Sequence, residues 1–247
     1  NEIYKTGFDK KELVLTGQKT EHHYCGVNCG IMDQFASVFG KAGNLIRLDC
    51  STMEYEYIPF DPQGYKLVLI DSVTKHELVD SPYNKRRQSS GERAAAAIAG
   101  NHPEVKLLGD ATLEMLEEVK DKISEEDYMR ATYAIQENSR LADTCEALKR
   151  GDYETVGKNI YATHHGMSKL YEVSTEELDF LNDVAKECGV TGSRIMGGGF
   201  GGCTINLVKD AYYDRFIETA ISRFKTKFGK EPKVYPVTIS DGARKLN

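Results

Sequence analysis

The spacing of hydrophobic and polar positions changes three times along the chain, and each change predicts a change of secondary structure. Within residues 1–62, a helix around Asp33 is followed by two strands, "NLIRLDC" and "EYEYIPF", in which β-branched and aromatic residues alternate with polar ones. The apolar run "YKLVLIDS" then predicts a third strand. Because the turn signal "DPQG" precedes that strand, we place a domain boundary near Gln63.

Helical spacing dominates the middle of the chain. The segment "GERAAAAIA" has high helix propensity, and "TLEMLEEVKDKI" places its apolar residues at steps of three and four. Two longer helices are predicted over about 125–149 and 152–170. Ser174 and Glu177 form a capping-box pattern ahead of a further helix, which Gly189 is expected to end.

The last quarter of the chain returns to strands. A strand, a glycine-rich turn and the strand "CTINLVK" precede an amphipathic helix and a final strand, "KVYPVTI". The order strand, helices, strand, strand, helix, strand favours an α+β fold over a doubly wound parallel sheet.

Composition and charge exclude some classes of partner. The 247 residues are 40% hydrophobic and 28% charged, which is typical of a globular protein with one large domain or two small ones. The net charge of -6 argues against a nucleic acid or an anionic membrane as the main partner, because both favour a positive surface. We therefore expect no nucleic acid and no membrane among its partners.

Cysteine use and apolar runs bear on the compartment. The 6 cysteines include no CxxC pair, so neither a disulfide scaffold nor a zinc ribbon is indicated. No apolar run approaches the roughly 20 residues that cross a bilayer, and the polar opening "NEIYKTGFDKKEL" has no signal-peptide core. We expect a cytoplasmic protein. The first residue is not methionine, which suggests that the chain starts partway through a longer protein.

The segment "NCGIMDQFASVFG" raises the question of whether Asp33 has a structural or a chemical role. With Asn28 as the N-cap, Ile31, Phe35 and Phe39 share one face, and Asp33 lies nearly opposite Ile31 at about 100° per residue. An acid in the first turn stabilises the helix dipole by roughly 0.3–1 kcal/mol. Taken alone, this structural account is the stronger one, and a catalytic account requires a partner site that periodicity does not supply.

The glycine cluster, residues 197–202 with the sequence "GGGFGG", formally contains the GxGxxG pattern of dinucleotide-binding proteins. That motif opens a helix whose N-terminus holds the pyrophosphate, whereas here the strand "CTINLV" follows. The dinucleotide interpretation therefore fails. Glycines at this density allow a close backbone approach or positive φ angles, so the cluster is either a tight structural turn or a wall of a phosphate site.

Tyr83 and two histidine pairs have ordinary structural explanations. Tyr83 lies in "SPYNKRR", a turn with a basic run, where a tyrosine is typically a half-buried surface aromatic. The pairs His22–His23 and His164–His165 suggest a metal. However, adjacent residues of a helix or strand point in different directions and do not easily share one ion.

Several segments resemble the galactokinase family, part of a superfamily that includes homoserine, mevalonate and phosphomevalonate kinases. "CGIMDQ" (29–34) is similar to the family's catalytic-aspartate segment, and "GGGFGGCTINLV" (197–208) resembles its third signature motif. "AIQENSRL" (134–141) and "SKLYEVSTEELDFL" (168–181) resemble stretches that the wider superfamily does not share. The resemblance spans essentially the whole chain.

The resemblance implies a chemical role for Asp33. The family transfers the γ-phosphate of ATP to the anomeric hydroxyl of galactose, so its substrates are small molecules and its cofactors are ATP and Mg²⁺. Asp33 matches the acid that faces this hydroxyl as general base or electrostatic orienter, and Glu21 matches the acid that helps to hold Mg²⁺. Gly30 lies in the sugar-contacting segment, and Tyr83 falls where the family has a tyrosine that hydrogen-bonds galactose.

The resemblance also implies a domain arrangement. Residues 1–62 correspond to the end of the kinase's amino-terminal domain, a remnant of a ribosomal-protein-S5-like fold. Residues 63–247 correspond to the carboxy-terminal domain, a ferredoxin-like α/β sandwich with extra helices. Gly198 and Gly199 belong to the motif that packs against the nucleotide-phosphate loop and supports it more than it grips phosphate.

Two upstream signatures of the family have no counterpart in these 247 residues: an acidic sugar-binding segment with an arginine, and a Pro/Gly/Ser-rich loop that wraps ATP. We therefore expect a fragment that binds ATP weakly at best and does not turn over alone. The full-length form is expected to be a monomer. The surface exposed by truncation offers a sheet edge or apolar patch through which the fragment could dimerise.

Two alternatives to a galactose-phosphorylating enzyme stay open at this point. Proteins of this kind can act as galactose and ATP sensors without turnover, and a related kinase can act on N-acetylgalactosamine. Changed residues in the missing amino-terminal segment would favour the sensor. A larger pocket near the second carbon of the sugar would favour the related kinase.

Overall fold

The computed structural model describes residues 1–74, 86 and 88–245, without the side chains of residues 88–90. The chain forms two compact units, Asn1–Asp61 with Thr238–Asn247, and Pro62–Val237. The sequence-based division placed its boundary after residue 62 and left the carboxy terminus in the second domain. In the structure, the residues that follow Val237 pack with the first unit instead. That these units correspond to the two domains of the kinase stays a prediction.

The first unit is built from two helices and a β-hairpin. Val14, Ile31, Phe35 and Phe39 form its buried core, which confirms the predicted apolar face of the helix around Asp33. The two strands that the alternating sequences predict are present, and in the structure they pair antiparallel as a hairpin. In chain order the elements are α1 (Lys10–Thr20), a π-helical turn (Glu21–Cys25), α2 (Met32–Phe39), β1 (Asn44–Leu48) and β2 (Tyr55–Pro59).

The carboxy-terminal segment is tied to the end of α2 by the main chain. The Gly242 N–H donates to the Gly40 carbonyl at 2.8 Å, and the Ala243 N–H donates to the Ser37 carbonyl at 2.6 Å. The Ala42 N–H donates to the Asp241 carboxylate, a residue 199 positions away. Local hydrophobic patterns do not encode contacts between such distant backbone groups, which explains why the sequence analysis assigned this segment to the second domain.

The second unit contains four strands, β3 (Tyr65–Asp71), β4 (Gly192–Ile195), β5 (Cys203–Lys209) and β6 (Lys233–Val237). They form an antiparallel sheet with the order β4-β5-β3-β6. Helices connect β3 to β4, and one helix connects β5 to β6. This is the strand order and connectivity of a ferredoxin-like β-α-β-β-α-β sheet, so the α+β prediction is confirmed.

The core of the second unit lies between the sheet and two helices. Val68 and Ile70 of β3 form one fully buried cluster with Leu181, Phe216 and Phe224, which lie on the helices Glu176–Glu187 and Asp210–Phe228. The remaining helices extend the unit. The helices of the unit are α3 (Ala95–Ala99), which follows a π-helical segment (Gln88–Ala94), α4 (Leu113–Glu117), α5 (Glu125–Lys149), α6 (Tyr153–Lys169), α7 (Glu176–Glu187) and α8 (Asp210–Phe228).

The predicted helix over "TLEMLEEVKDKI" is interrupted. Helix α4 ends at Glu117, Val119 has φ -112° and ψ 8°, and a 3₁₀ turn follows at Lys120–Lys122. The chain leaves the helix because Ser124 is extended and caps the next helix, accepting a hydrogen bond from the Asp127 N–H. Here a local capping signal outweighs the three-four spacing.

The cap of α7 lies one residue later than the sequence predicts. Thr175, not Ser174, is the N-cap, and its hydroxyl accepts a hydrogen bond from the Leu178 N–H. The Ser174 hydroxyl donates instead to the Asp179 carboxylate. Gly189 has φ +77° directly after the helix, which confirms it as the stop.

Asp179 fastens the end of α6 to the start of α7. Its carboxylate accepts a hydrogen bond from the Ser168 hydroxyl at 2.8 Å and lies 3.1 Å from His164 Nε2. Burial alone would raise the pKa of the Asp179 carboxyl, but the hydrogen bonds from His164, Ser174 and Ser168 outweigh it and lower the pKa well below its usual range.

We expect Asp179→Asn to lower the free energy of unfolding at pH 7 by about 1–2 kcal/mol, since the half-exposed setting screens part of the effect. The depressed folded-state pKa means that the carboxylate stabilises the fold above its unfolded pKa of about 3.9 and loses this effect as the pH falls below that value. Urea unfolding should therefore show a difference between wild type and variant that shrinks from about pH 6 to about pH 3.

The matched control is Asp183→Asn, an exposed position on the same helix. It should change the unfolding free energy by less than about 0.5 kcal/mol at either pH. A difference between Asp179→Asn and wild type that is the same at both pH values would contradict the role given to the carboxylate.

Candidate active site

The two predicted acids both lie in the first unit, at the ends of helices that pack together. Glu21 follows the last residue of α1 and opens the π-helical turn, and Asp33 is the second residue of α2. The helices share a core through Val14 and Phe35. The sequence predicted this pair from resemblance alone, and the structure places both acids on neighbouring elements of one unit.

Hydrogen bonds hold the connecting loop against the end of α1. Gln18 Nε2 donates to the Cys29 carbonyl at 3.3 Å, and His22 Nε2 lies 3.0 Å from the same oxygen. The Val27 N–H donates to the Glu21 carbonyl at 3.3 Å. The loop that leads into Asp33 is therefore fastened to the residues that surround Glu21.

A glycine allows α1 and α2 to approach closely at this point. A Cβ atom on Gly17 would lie 3.2 Å from Cγ of Gln34, the residue after Asp33. The missing side chain thus gives Gln34 room against α1. An alanine at position 17 would require the Gln34 side chain to move by a few tenths of an ångström.

Helix α2 begins later than the sequence predicts. The N-cap is Ile31, which has no side-chain cap hydrogen bond, and not Asn28. The reason is the tight loop: the Cys29 N–H donates to the Val27 carbonyl, and the Cys29 carbonyl is held by α1. These bonds keep residues 28–30 out of the helix, so Asp33 lies in its first turn.

The Asp33 side chain is exposed. Within the described residues its carboxylate takes part in no hydrogen bond and no ion pair, while its backbone carbonyl accepts a bond from the Ser37 hydroxyl. Exposed backbone N–H groups at the start of a helix favour a negative charge there. The position therefore suits an acidic side chain that faces outward, and both the structural and the catalytic account are compatible with it.

Glu21 is partly buried beside Cys25. The Glu21 charge raises the pKa of the Cys25 thiol, which also makes a hydrogen bond to the carboxylate. Within the described residues no group of three or more His, Cys, Asp and Glu side chains could hold a metal ion. One carboxylate is nevertheless a donor set that fits Mg²⁺, since this ion is often bound by one or two carboxylates with substrate phosphates and water.

Gly30 and Tyr83 are the two residues predicted to contact the sugar. Gly30 is exposed, and a Cβ built on it would meet no atom of the described residues within 4 Å, so packing against these residues does not require a glycine here. Tyr83 lies outside the described residues, so its role stays a prediction.

The glycine cluster is a tight connection between β4 and β5. Gly197, Gly199, Phe200, Gly201 and Gly202 all have positive φ angles, a conformation that side chains rarely adopt. Two interpretations of the glycine cluster are compatible with its sequence, a tight structural turn and a wall of a phosphate site. The φ angles show the tight turn, and a contact with phosphate stays a prediction for Gly198 and Gly199.

Close backbone contacts fix this connection. The Phe200 N–H donates to the Val173 carbonyl at 2.7 Å, and a Cβ on Gly199 would lie 2.2 Å from the same oxygen. On the other side, the Ser72 N–H and hydroxyl both donate to the Gly202 carbonyl, each at 2.9 Å. The cluster is thereby held between the α6–α7 turn and the end of β3.

The residues that position these segments were not among those predicted from the sequence. Gln18 and His22 are four residues apart on successive turns of helical backbone, a spacing that puts both on one side and could have marked them as a pair. Val173 carries no chemical signal, because it acts through its carbonyl. Of the histidine pairs, His22 contacts a carbonyl and His164 contacts Asp179.

A separate cavity of about 560 Å³ lies between the Gly109–Glu114 segment and α5, where Gln136, Arg140 and Asp143 line it. None of the predicted site residues that the structure describes lines this cavity. Among the described residues, no helix has the length and apolar character that a membrane crossing requires.

Comparison with known protein families gives two matches within the chain. The family described as "GHMP kinases N terminal domain" matches residues 1–41, and the family described as "GHMP kinases C terminal" matches residues 145–226. The first match includes both Glu21 and Asp33, and the second includes the glycine cluster.

Curated proteins similar to the whole chain are galactokinases. The chain is 41% identical to a galactokinase of Clostridium acetobutylicum and covers 64% of that protein. It is 39% identical to a galactokinase of Thermotoga petrophila and covers 68% of it. In both comparisons 100% of this chain is matched, so it spans about two thirds of the length of these relatives.

Solved structures agree with the sequence comparison. The chain matches the Lactococcus lactis galactokinase complexed with galactose at a TM-score of 0.92 and 33% identity, over 99% of this chain and 63% of that one. The mevalonate kinase of L. major in complex with R-mevalonate matches at a TM-score of 0.58 and 18% identity, over 98% of this chain and 62% of that one, a likeness of fold alone.

Proposed function

This chain belongs to the galactokinase family of the GHMP kinases, and from that premise we propose that it is the carboxy-terminal two thirds of an enzyme that phosphorylates galactose. In the proposed reaction the γ-phosphate of ATP passes to the anomeric hydroxyl of galactose. The observation that carries the proposal is that galactokinases match the chain from end to end in both sequence and structure.

Asp33 supplies the proposed catalytic carboxylate. Its exposed position in the first turn of α2, with no partner among the described residues, leaves the carboxylate available to a substrate hydroxyl. An alcohol proton is difficult to remove near neutral pH, and a positioned acceptor contributes about 10²- to 10⁴-fold. Asp33 would accept this proton, or orient the hydroxyl for in-line attack on the phosphate.

Glu21 would help to hold Mg²⁺, which supplies charge neutralisation to the transferring phosphate. The hydrogen bonds from Gln18 and His22 to the Cys29 carbonyl, and from the Val27 N–H to the Glu21 carbonyl, support this role. They hold the segment around Glu21 against the loop that leads to Asp33. Gly30 lies in that loop and would leave open space for the sugar.

The glycine cluster and Tyr83 complete the proposed assignment. Gly198 and Gly199 would support the nucleotide-phosphate loop, and Tyr83 would hydrogen-bond galactose. These 247 residues contain no segment that resembles the Pro/Gly/Ser-rich phosphate loop, so we expect no turnover from them alone. Activity is therefore to be measured in the long form, which means the 247 residues preceded by the amino-terminal segment that the curated relatives have.

The test of this proposal is a coupled ADP-release assay of the long form with a panel of acceptors. Galactose, N-acetylgalactosamine, homoserine and mevalonate are compared by kcat/KM, and the product is identified by phosphorus NMR. We expect galactose to exceed each other acceptor by at least about 10²-fold, with a sugar 1-phosphate as product. The isolated 247 residues are expected to release no galactose-dependent ADP.

Each other outcome contradicts a definite part of the proposal. Tight galactose and ATP binding by a folded long form without turnover would indicate a sensor. A preference for N-acetylgalactosamine would change the substrate. Turnover of galactose by the isolated 247 residues would show that the phosphate loop is not required.

A further inference from the structure

Two arginines and two glutamates form an ion-pair cluster in the second unit, which we call the arginine cluster: Arg86, Glu126, Arg130 and Glu172. Arg130 Nη2 donates to the Glu172 carboxylate at 3.0 Å and also contacts the Glu126 carboxylate. Arg86 lies 3.6 Å from Glu126 and 3.5 Å from Glu172. The Arg130 side chain is only 2% exposed, and a buried guanidinium is costly to leave without acidic partners.

Glu172 occupies a strained backbone position. It lies between the end of α6 and the start of α7 with φ +55°, in the left-handed region. A non-glycine residue in this region costs about 1–3 kcal/mol, which surrounding contacts must offset. Arg86 Nη2 donates to the Glu172 backbone carbonyl at 3.4 Å, and Arg130 holds the Glu172 carboxylate. The arginine cluster thus holds both the main chain and the side chain of this residue.

The next residue in the chain contacts the glycine cluster. The Val173 carbonyl accepts the Phe200 N–H at 2.7 Å, and Gly199 packs against it so tightly that a Cβ would lie 2.2 Å from the oxygen. Val173 is 1% exposed and packs with Ile195 and Leu178. The position of the Val173 carbonyl therefore determines the positions of Gly199 and Phe200.

We propose that Glu172 is a positioning residue for nucleotide binding, acting through the Val173 carbonyl on the glycine cluster without touching the nucleotide. Support of the nucleotide by the glycine cluster is part of the proposed function, and in this respect the inference rests on the proposed function. The effect of the arginine cluster on Val173 and Phe200, which we call the mechanical part, depends only on contacts within the second unit.

The test compares Glu172→Gln with the matched control Glu126→Gln. Both substitutions remove one negative charge from the same two arginines, but only position 172 adjoins Val173. In the isolated 247 residues, we expect Glu172→Gln to accelerate amide hydrogen exchange of Phe200 at least tenfold, because its hydrogen bond to Val173 opens more often. The control is expected to stay within twofold of wild type.

In the long form, we expect Glu172→Gln to raise KM for ATP at least fivefold with a smaller change in kcat and in KM for galactose. Unchanged Phe200 exchange, or equal acceleration by both variants, would overturn the positioning role. Faster Phe200 exchange with an unchanged KM for ATP would overturn the link to the nucleotide. A long form without kinase activity would refute the proposed function, and the exchange measurement would still decide the mechanical part.

Discussion

Replacing Asp33 by Asn is expected to lower kcat of the long form by about 10²- to 10⁴-fold while the protein stays folded. The amide keeps the shape of the side chain but cannot accept a proton at neutral pH. Because the carboxylate is exposed and has no partner among the described residues, its loss removes no packing and no ion pair. The measurement is kcat by coupled ADP release, together with the urea midpoint of unfolding.

A control for the helix-dipole effect is Asp210→Asn. Asp210 is an exposed acid in the first turn of α8, so its replacement loses a comparable interaction with a helix N-terminus. We expect it to change the unfolding free energy by less than about 1 kcal/mol and to leave kcat unchanged. If both substitutions left kcat near the wild-type value, Asp33 would be a helix-stabilising acid and nothing more.

Replacing Gly199 by Ala is expected to lower the free energy of unfolding of the second unit by about 2–5 kcal/mol. Two effects combine. A side chain at φ +82° is disfavoured, and its Cβ would lie 2.2 Å from the Val173 carbonyl oxygen, which must move and strain its bond to the Phe200 N–H. Urea unfolding followed by circular dichroism measures the loss.

Gly197→Ala is a close control for this prediction. Gly197 has φ +83°, almost the same as Gly199, but a Cβ there would meet no atom of the described part of the chain within 4 Å. Its replacement should cost only about 1–2 kcal/mol, the backbone term alone. Equal losses at the two positions would mean that the contact with Val173 does not restrain the glycine cluster.

The strands and the core were predictable because their patterns are local. The alternation in "NLIRLDC" and "EYEYIPF" predicts β1 and β2, and the spacing of Ile31, Phe35 and Phe39 predicts the buried face of α2. In each case the period of the sequence matches the period of the backbone, so the buried side follows directly.

The errors came from interactions that are not periodic. Asn28 looks like an N-cap, but hydrogen bonds from α1 hold the Cys29 carbonyl and delay the helix to Met32. Ser174 looks like an N-cap, but Asp179 binds its hydroxyl. The carboxy-terminal segment packs with the first unit through backbone bonds such as that of Gly242. Tertiary partners decide these positions, and a single sequence does not show which partners they are.

The candidate site was predictable only in part, for a related reason. Asp33 and Glu21 came from resemblance, because periodicity alone favoured a structural role for Asp33. The residues that position the segments, Val173 through its carbonyl and Glu172 through a positive φ, give no signal in composition or spacing. Resemblance identifies groups that react, while the contacts that position them become visible only in the folded chain.

The most direct test of the central claim is a single-turnover measurement on the long form. Excess enzyme is mixed with γ-labelled ATP, Mg²⁺ and galactose, and labelled galactose 1-phosphate is followed by rapid quench, while galactose affinity is measured separately by calorimetry. We predict that Asp33→Asn binds galactose within a few-fold of wild type but forms the labelled product at least about 10²-fold more slowly. Product formation at the wild-type rate by the folded variant would contradict the account.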